Sequence, residues 1–216
     1  MNILELKDVT FSTNKHYNNL QNINISLKEL EKALIFAGDD SGIIEMFRVV
    51  LGFEKKFQGE ILYKGQDIRK VKYKGTKILY IPKNPVFFEN KSLEYNIKYF
   101  LRLRERKKDK VNCLYQEIVR NYGFEGVEVK KVQELDEFSR VKLAFVRSTF
   151  RELDLILIED VFSAFSIDVQ VEIAKFIKTF INEHNSAVIV WSQNAELKRI
   201  FDDFKLYTLE YGTLFC

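Results

Sequence analysis

The sequence has little of what staples, bends or metallates a small protein: two cysteines, two histidines, two prolines and nine glycines among 216 residues. Cys113 and Cys216 lie far apart and one is the last residue, so neither a disulfide framework nor a cysteine metal pair is expected, and a reducing cytosol is the natural compartment. Scarce glycine and proline exclude collagen-like repeats and low-complexity scaffolds. Long hydrophobic runs are missing too. The best, Ala187–Trp191 and Leu155–Ile158, fall far short of the roughly 20 residues that cross a bilayer. No direct membrane insertion is expected, and any membrane association passes through a partner or a surface contact. The start, Met1 to Lys7, lacks the basic stretch and apolar run of a secretory leader. An excess of one charge is likewise absent: 34 basic residues face 31 acidic ones, for a net charge of +3. That balance gives no support to an electrostatic nucleic-acid binder.

What is present is 46% hydrophobic and 30% charged residues, the composition of one α/β domain with a sizeable core. Four short apolar runs without alternation, Ala33–Ala37, Ile78–Ile81, Leu155–Ile158 and Ala187–Trp191, read as strands buried on both faces of a parallel sheet. Ile43, Phe47, Val50 and Leu51 form one helical stripe, and Ile173, Phe176, Ile177, Phe180 and Ile181 another. Strand and helix alternate, which implies right-handed crossovers in a doubly wound sheet. Ile3–Phe11, Ile23–Leu27 and Glu60–Tyr63 look half-exposed. With a closing hairpin, Tyr207–Leu209 and Thr213–Phe215 around Gly212, they suggest an antiparallel layer beside the parallel core.

From about Asn90 to Glu137, Ile97, Phe100, Leu101, Leu114, Ile118 and Val119 recur at helical spacing among many charges, so an inserted helical subdomain is expected. Within it Arg102, Arg104, Arg106, Lys107, Lys108 and Lys110 face only Glu105 and Asp109. The plain reading is a solvated helix end; the sharper one is contact with an acidic partner or lipid headgroups.

The order of these signals resembles the nucleotide-binding subunit of ATP-binding cassette (ABC) transporters over essentially the whole chain. Glu134–Ser166 is similar to that family's signature helix, Walker B strand and D-loop. Gly59–Ile68 and Ile78–Phe88 are similar to its antiparallel layer and Q-loop. The resemblance implies a P-loop NTPase-like α/β fold in one domain spanning 1–216, with a RecA-like core over about 1–88 and 140–216. The helical subdomain would span about 89–139.

The residues that would handle ATP are changed. A working phosphate loop reads Gly-x-x-x-x-Gly-Lys-Ser/Thr: its N–H groups cradle phosphates, the lysine meets the β/γ oxygens and the hydroxyl holds Mg²⁺. Here the stretch is Ala37, Gly38, Asp39, Asp40, Ser41, Gly42, Ile43, Ile44 and Glu45. Only the second glycine, Gly42, survives. One unit charge at about 4 Å is worth on the order of 4 kcal/mol at an effective dielectric of 20. Losing the lysine while gaining Asp39, Asp40 and Glu45 therefore argues against tight triphosphate binding.

By resemblance, Glu159 and Asp160 stand in reversed order to the metal-liganding Asp and catalytic Glu, and Lys83 replaces the Q-loop Gln. Gln193 replaces the switch His. The signature Leu-Ser-Gly-Gly-Gln reads Leu135, Asp136, Glu137, Phe138, Ser139, which blocks close backbone approach and adds charge of the wrong sign. Thr13 falls where the adenine-stacking aromatic would be, with Tyr17 as a substitute. The resemblance thus implies a vestigial site with no catalytic residue, no metal and no nucleotide cofactor. It implies a structural or regulatory subunit whose partners are an ABC-type ATPase subunit, as hetero- or homodimer, and a membrane permease. The permease would sit in the groove formed by Pro85, Val86, Phe87, Phe88, Glu89 and Asn90. Such a chain would be cytoplasmic, held at the inner face of the membrane through the permease. The alternative is an unorthodox Mg-ATPase with Asp160 as base and Glu159 on the metal.

Overall fold

The computed structural model describes residues 1–13, 19–72, 76–147 and 152–216. Along the chain run β1 (Asn2–Phe11), β2 (Leu20–Lys28), β3 (Lys32–Ala37), α1 (Ile43–Val50), β4 (Gln58–Tyr63), β5 (Gln66–Asp67) and β6 (Ile78–Ile81). They are followed by α2 (Leu93–Arg102), α3 (Lys108–Tyr122), α4 (Glu137–Val146), β7 (Leu155–Ile158), α5 (Ile167–His184), β8 (Ala187–Ser192), β9 (Lys205–Glu210) and β10 (Thr213–Phe215). The chain divides into two compact units, 1–83 with 152–216, and 84–151.

In the first unit a six-stranded sheet has the order β10-β9-β3-β8-β7-β6, and β3, β6, β7 and β8 are joined by parallel pairings. The unalternating apolar runs fall where such a sheet needs them: every residue of β7 and β8 is buried. A four-stranded antiparallel sheet, β2-β1-β4-β5, forms a separate layer. α1 buries Ile43, Met46, Phe47, Val49 and Val50 and leaves Arg48 outside. α5 buries Ile173, Ala174, Ile177, Phe180 and Ile181 and ends at Asn185 in the left-handed conformation that closes many helices.

One expectation is corrected. The closing hairpin belongs to the parallel sheet rather than to the antiparallel layer, because β9 runs parallel to β3 from Ala33↔Lys205 to Ala37↔Leu209. Its alternation of buried Tyr207 and Leu209 with more exposed neighbours reflects a place next to the sheet edge, where only one face is fully covered. Tyr211 (φ 47°) and Gly212 (φ 77°) make the turn to β10, the two positive φ values of a two-residue hairpin loop.

The second unit holds α2, α3 and α4. It is wider than the helical span read from the sequence, because α4 packs on α2 and α3 and buries Val141, Leu143 and Phe145. On α3 the covered face is Val111, Tyr115, Ile118 and Val119, with Leu114 only half-buried. Arg102, Arg104, Arg106, Lys107, Lys108 and Lys110 are all exposed, as a solvated helix junction requires. No helix among the described residues is long and apolar enough to cross a membrane.

The chain has one tryptophan, Trp191, fully buried in β8, so its fluorescence reports unfolding of the parallel sheet. Ile189→Ala, which empties a fully buried position of the same strand, is expected to cost about 2–5 kcal/mol. A urea midpoint unchanged by this substitution would contradict the placement of β8 in the core.

Candidate functional site

β3 leads directly into the expected phosphate-loop stretch. Gly38 is extended, Asp39–Ser41 form a single 3-10 turn, and Gly42 takes φ 95° before α1 begins at Ile43. Only glycine fits at 42: a Cβ there would lie 2.1 Å from the carbonyl oxygen of Asn19. Ile43, which the sequence resemblance sets at the lysine position, is fully buried in the hydrophobic core, whereas Ile44 is 40% exposed.

Part of the polar backbone of the turn is engaged within the protein. The Ser41 N–H donates to the Gly38 carbonyl at 3.1 Å and the Gly212 N–H donates to the Ser41 carbonyl at 2.9 Å. The Ile43 N–H donates to Ser41 Oγ at 3.3 Å, and Trp191 Nε1 donates to the Ala37 carbonyl at 2.8 Å. The Ser41 and Ile43 N–H groups are spent in this way and are not free for phosphate oxygens.

Asn19, Asp39, Asp40, Gly42 and Glu45 line a cleft of about 310 Å³. The Asn19 amide donates to Glu45 Oε1 at 3.1 Å. The cation that reaches the cleft's rim is Lys83, whose ammonium donates to Asp39 Oδ1 at 3.2 Å. Three carboxylates and one engaged ammonium, with no hydroxyl at position 44, do not fit a magnesium triphosphate. Thr13, expected from the resemblance at the position of an adenine-stacking aromatic, donates through its N–H and its hydroxyl to Asn19 Oδ1, both at 2.9 Å. Tyr17 lies outside the described residues.

The carboxylates after β7 differ sharply in their surroundings. Glu159 is 9% exposed and both its oxygens are engaged: Oε1 accepts from the Tyr80 hydroxyl at 2.5 Å and Oε2 from the Lys83 N–H at 2.7 Å. Burial, and then the bond to Glu159, pushes the Tyr80 hydroxyl's pKa far up. Asp160 is 1% exposed; its Oδ1 accepts from the Phe162 N–H at 3.3 Å while Oδ2 has no partner. Burial raises the Asp160 pKa above the ordinary carboxylate value, against the backbone bonds from Phe162 and Gln193 and the charge of Lys83. Asp160 shares a cleft of about 350 Å³ with Ser163, Gln170, Gln193 and Asn194. Gln170 and Asn194 are tied together, Nδ2 to Oε1 at 2.8 Å. The structure therefore brings Asp160 and Gln193 together and gives Glu159 a structural set of partners.

In the second unit, the signature positions form the N-terminus of α4. Asp136 is its cap, accepting from the Ser139 N–H at 2.8 Å and hydroxyl at 2.7 Å. Burial pushes the Asp136 carboxyl up, but these two bonds outweigh it and leave the group below the usual range. Leu135 and Ser139 are buried, Glu137 is exposed, and Lys142 lies over the Phe138 ring at 5.2 Å. The Asp-x-x-Ser spacing of a helix cap is a signal the sequence carries here, hidden beneath the altered signature.

The expected partner groove is half anchor and half surface. Phe87 is buried beneath the guanidinium groups of Arg140 and Arg147, and Glu89 forms two hydrogen bonds with Arg140. Val86 is 83% exposed, and the exposed Phe88 ring packs edge-on against Tyr95 and Tyr99. Buried Asn96 clamps the Phe88 backbone, its Oδ1 accepting from the Phe88 N–H at 3.0 Å and its Nδ2 donating to the Phe88 carbonyl at 3.1 Å. Pro85 is half-buried and Asn90 exposed. Sequence reasoning does not reach Asn96, Tyr95 and Tyr99; the signal for the tyrosines is two aromatics one helical turn apart on α2, open to solvent.

No family model matches the sequence. The chain is 24% identical over 198 residues to the spermidine/putrescine import ATP-binding protein PotA of Spiroplasma citri, covering 90% of this chain and 55% of that protein. To PotA of Mycoplasma mycoides subsp. mycoides it is 22% identical over 216 residues, 99% of this chain and 60% of the relative. To the sulfate/thiosulfate import ATP-binding protein CysA of Synechocystis sp. it is 22% identical, covering 85% and 52%. The chain thus spans little more than half the length of these relatives. Among solved structures, cbiO1 of Clostridium perfringens, part of the ABC transporter complex cbiONQ, superposes with a TM-score of 0.85 at 16% identity, over 100% of this chain and 87% of that one. The ATP-binding cassette MJ0796, in a dimeric post-hydrolysis state bound to ADP and phosphate, gives 0.77 at 17% identity, over 97% and 95%.

The orphaned Asp160 oxygen generates a prediction about pH. A folded-state pKa above the unfolded one means that the unfolded chain gives up the proton first, so stability falls as pH rises from the ordinary Asp value of about 3.9 through the folded value. Asp160→Asn is expected to raise the unfolding midpoint at neutral pH, with the gain vanishing as the pH drops below about 3.9. A loss of stability at neutral pH would mean that the charged carboxylate is held by a partner.

Proposed function

We propose that this chain, a homologue of ABC transporter ATP-binding subunits with the ABC ATPase fold, is a non-hydrolytic member that serves as a structural or regulatory partner. Its companions are a competent ATPase subunit, a membrane permease, or both. The observation that carries the reading is Ile43: at the position where a lysine would meet phosphate, the side chain is fully buried in the core. Every neighbouring feature points the same way. Asp39, Asp40 and Glu45 line the adjoining cleft, Lys83 is turned onto Asp39, and Glu159 is bound to Tyr80 and the Lys83 N–H.

Such a role works through shape and support. With the turn closed on itself by Ser41, Gly212 and Trp191, the core unit needs no ligand to order its strand-to-helix junction. The helical unit offers Val86, Phe88, Tyr95 and Tyr99 on its surface, anchored from below by Phe87 and Asn96. Apolar and aromatic side chains fixed in this way suit a protein partner, because little rotamer entropy remains to be lost on docking. The permease is the partner this surface would take, in keeping with the cbiONQ complex to which the structural relative belongs.

Two measurements test the proposal. Calorimetry with Mg-ATP should show no saturable heat up to about 1 mM, and hydrolysis should not exceed that of Asp160→Ala. Turnover at an ordinary rate that Asp160→Ala abolishes would overturn the proposal in favour of an unorthodox ATPase. On co-expression the chain should co-purify with an ATPase subunit or permease, and Val86→Glu should weaken retention at least about tenfold while leaving the unfolding midpoint unchanged. Failure to associate with any such protein would remove the partner role.

A further inference from the structure

Lys64, Lys70 and Lys72 line a second concavity, away from the phosphate-loop turn in sequence and formed by different elements. A cleft of about 410 Å³ beside the β4–β5 hairpin is lined by Lys64, Lys70 and Lys72 together with Tyr63, Gln66 and Thr76. Among the described residues no carboxylate lines it. The nearest acids are already committed: Asp67 holds Arg69 through both its oxygens, at 2.7 to 3.0 Å. Asp154 accepts from Lys64 Nζ at 2.9 Å and from the Tyr63 hydroxyl at 2.8 Å. Among the described residues neither Lys70 nor Lys72 forms an ion pair. Three ammonium groups against a single shared carboxylate leave the cleft with a surplus of about two positive charges.

Its wall is fixed. The Tyr63 ring is buried, its hydroxyl donates to Asp154 and accepts from the Lys77 N–H at 3.3 Å, and Arg69 is stacked over Phe57 at 4.9 Å. The nature of the free donors selects the ligand. A planar carboxylate is best met by the fork of an arginine, and Arg69 is spent on Asp67; what remains are point-charge ammonium groups, which suit the rounded oxygen shell of a phosphoryl group. A line of lysines is ordinarily a solvated face, but here all three line a concavity of a size that holds a small ligand.

We propose that this cleft is a binding site for a soluble oligophosphate anion, a di- or triphosphate group carried by a small molecule. The proposal does not rest on the non-hydrolytic reading, since none of its residues belongs to the phosphate-loop turn, the strand-end carboxylates or the partner groove.

The test is calorimetric titration of the full chain with inorganic triphosphate, without added magnesium, at low and moderate salt. Saturable binding tighter than about 1 mM, weakened by salt, is expected, with at least about a tenfold loss in the exposed pair Lys70→Glu/Lys72→Glu and a smaller loss in Lys70→Gln/Lys72→Gln. Urea midpoints of both variants check that they fold. Absence of binding by the wild-type chain overturns the proposal, as does binding that the charge reversal leaves unchanged. Sedimentation with phosphatidylglycerol vesicles supplies the remaining arm: retention on vesicles without triphosphate binding assigns the lysines to a membrane surface and likewise overturns the site.

Discussion

The carbonyl of Asn19 sits so close above Gly42 that no side chain can be placed there, and the loop from β3 into α1 is built around that approach. With Gly42 at φ 95° the chain can turn at once from strand to helix, and Ile43 is delivered into the core at the first helical position. Burying such a side chain stabilises by about 1.5–3 kcal/mol, whereas a lysine in the same spot would have to carry its ammonium out to solvent or to an anion. The turn is thus held by packing from below, by Trp191 on the Ala37 carbonyl and by Gly212 on Ser41. The strand-to-helix turn is accounted for by packing and hydrogen bonds within the core unit.

Electrostatics divides the core unit into regions of opposite preference. Asp39 and Lys83 are both partly exposed, 56% and 31% at the side chain, so their pairing contributes only about 0–1 kcal/mol and would not by itself seal anything. Its consequence is directional: Lys83 already faces a carboxylate, and Asp40 and Glu45 line the same cleft as Asp39. Glu159 and Asp160 show how adjacent carboxyls diverge. One is held by a hydroxyl and an N–H, the other has a buried oxygen without a donor. Neighbours in sequence acquire different chemistry from neighbours in space, which residue type alone does not show.

The sequence made the parallel core legible because strands covered on both faces must be continuously apolar, and Leu155–Ile158 and Ala187–Trp191 are. Helix α1 was legible from its stripe, and the turn that precedes it from Gly42. The seat of β9 was not, because a strand near an edge alternates as an antiparallel one does, and its partner Ala33 is paired with Lys205 across most of the chain. The bridge from Lys83 to Asp39, the bond from Tyr80 to Glu159 and the clamp of Asn96 on Phe88 were equally hidden. Each joins side chains whose meeting depends on how the loops close, and local pattern carries no such information. Ile44 illustrates the limit at a single residue: sequence groups it with Ile43, but helical periodicity turns it about 100° away, and it is partly exposed.

The formal charge of +3 conceals a separation that matters more than its sum. Acidic groups gather at the β3–α1 turn and ammonium groups beside the β4–β5 hairpin, and at physiological ionic strength fields between exposed charges fade over about 8 Å. Each cleft is therefore governed by the groups that line it rather than by the chain's average. An anion approaching the acidic turn meets carboxylates before it meets Lys83, whereas one approaching Lys70 and Lys72 meets cations with no ion-pair partner among the described residues. The β3–α1 turn thus presents carboxylates, whereas the β4–β5 hairpin presents a concave wall lined by Lys64, Lys70 and Lys72.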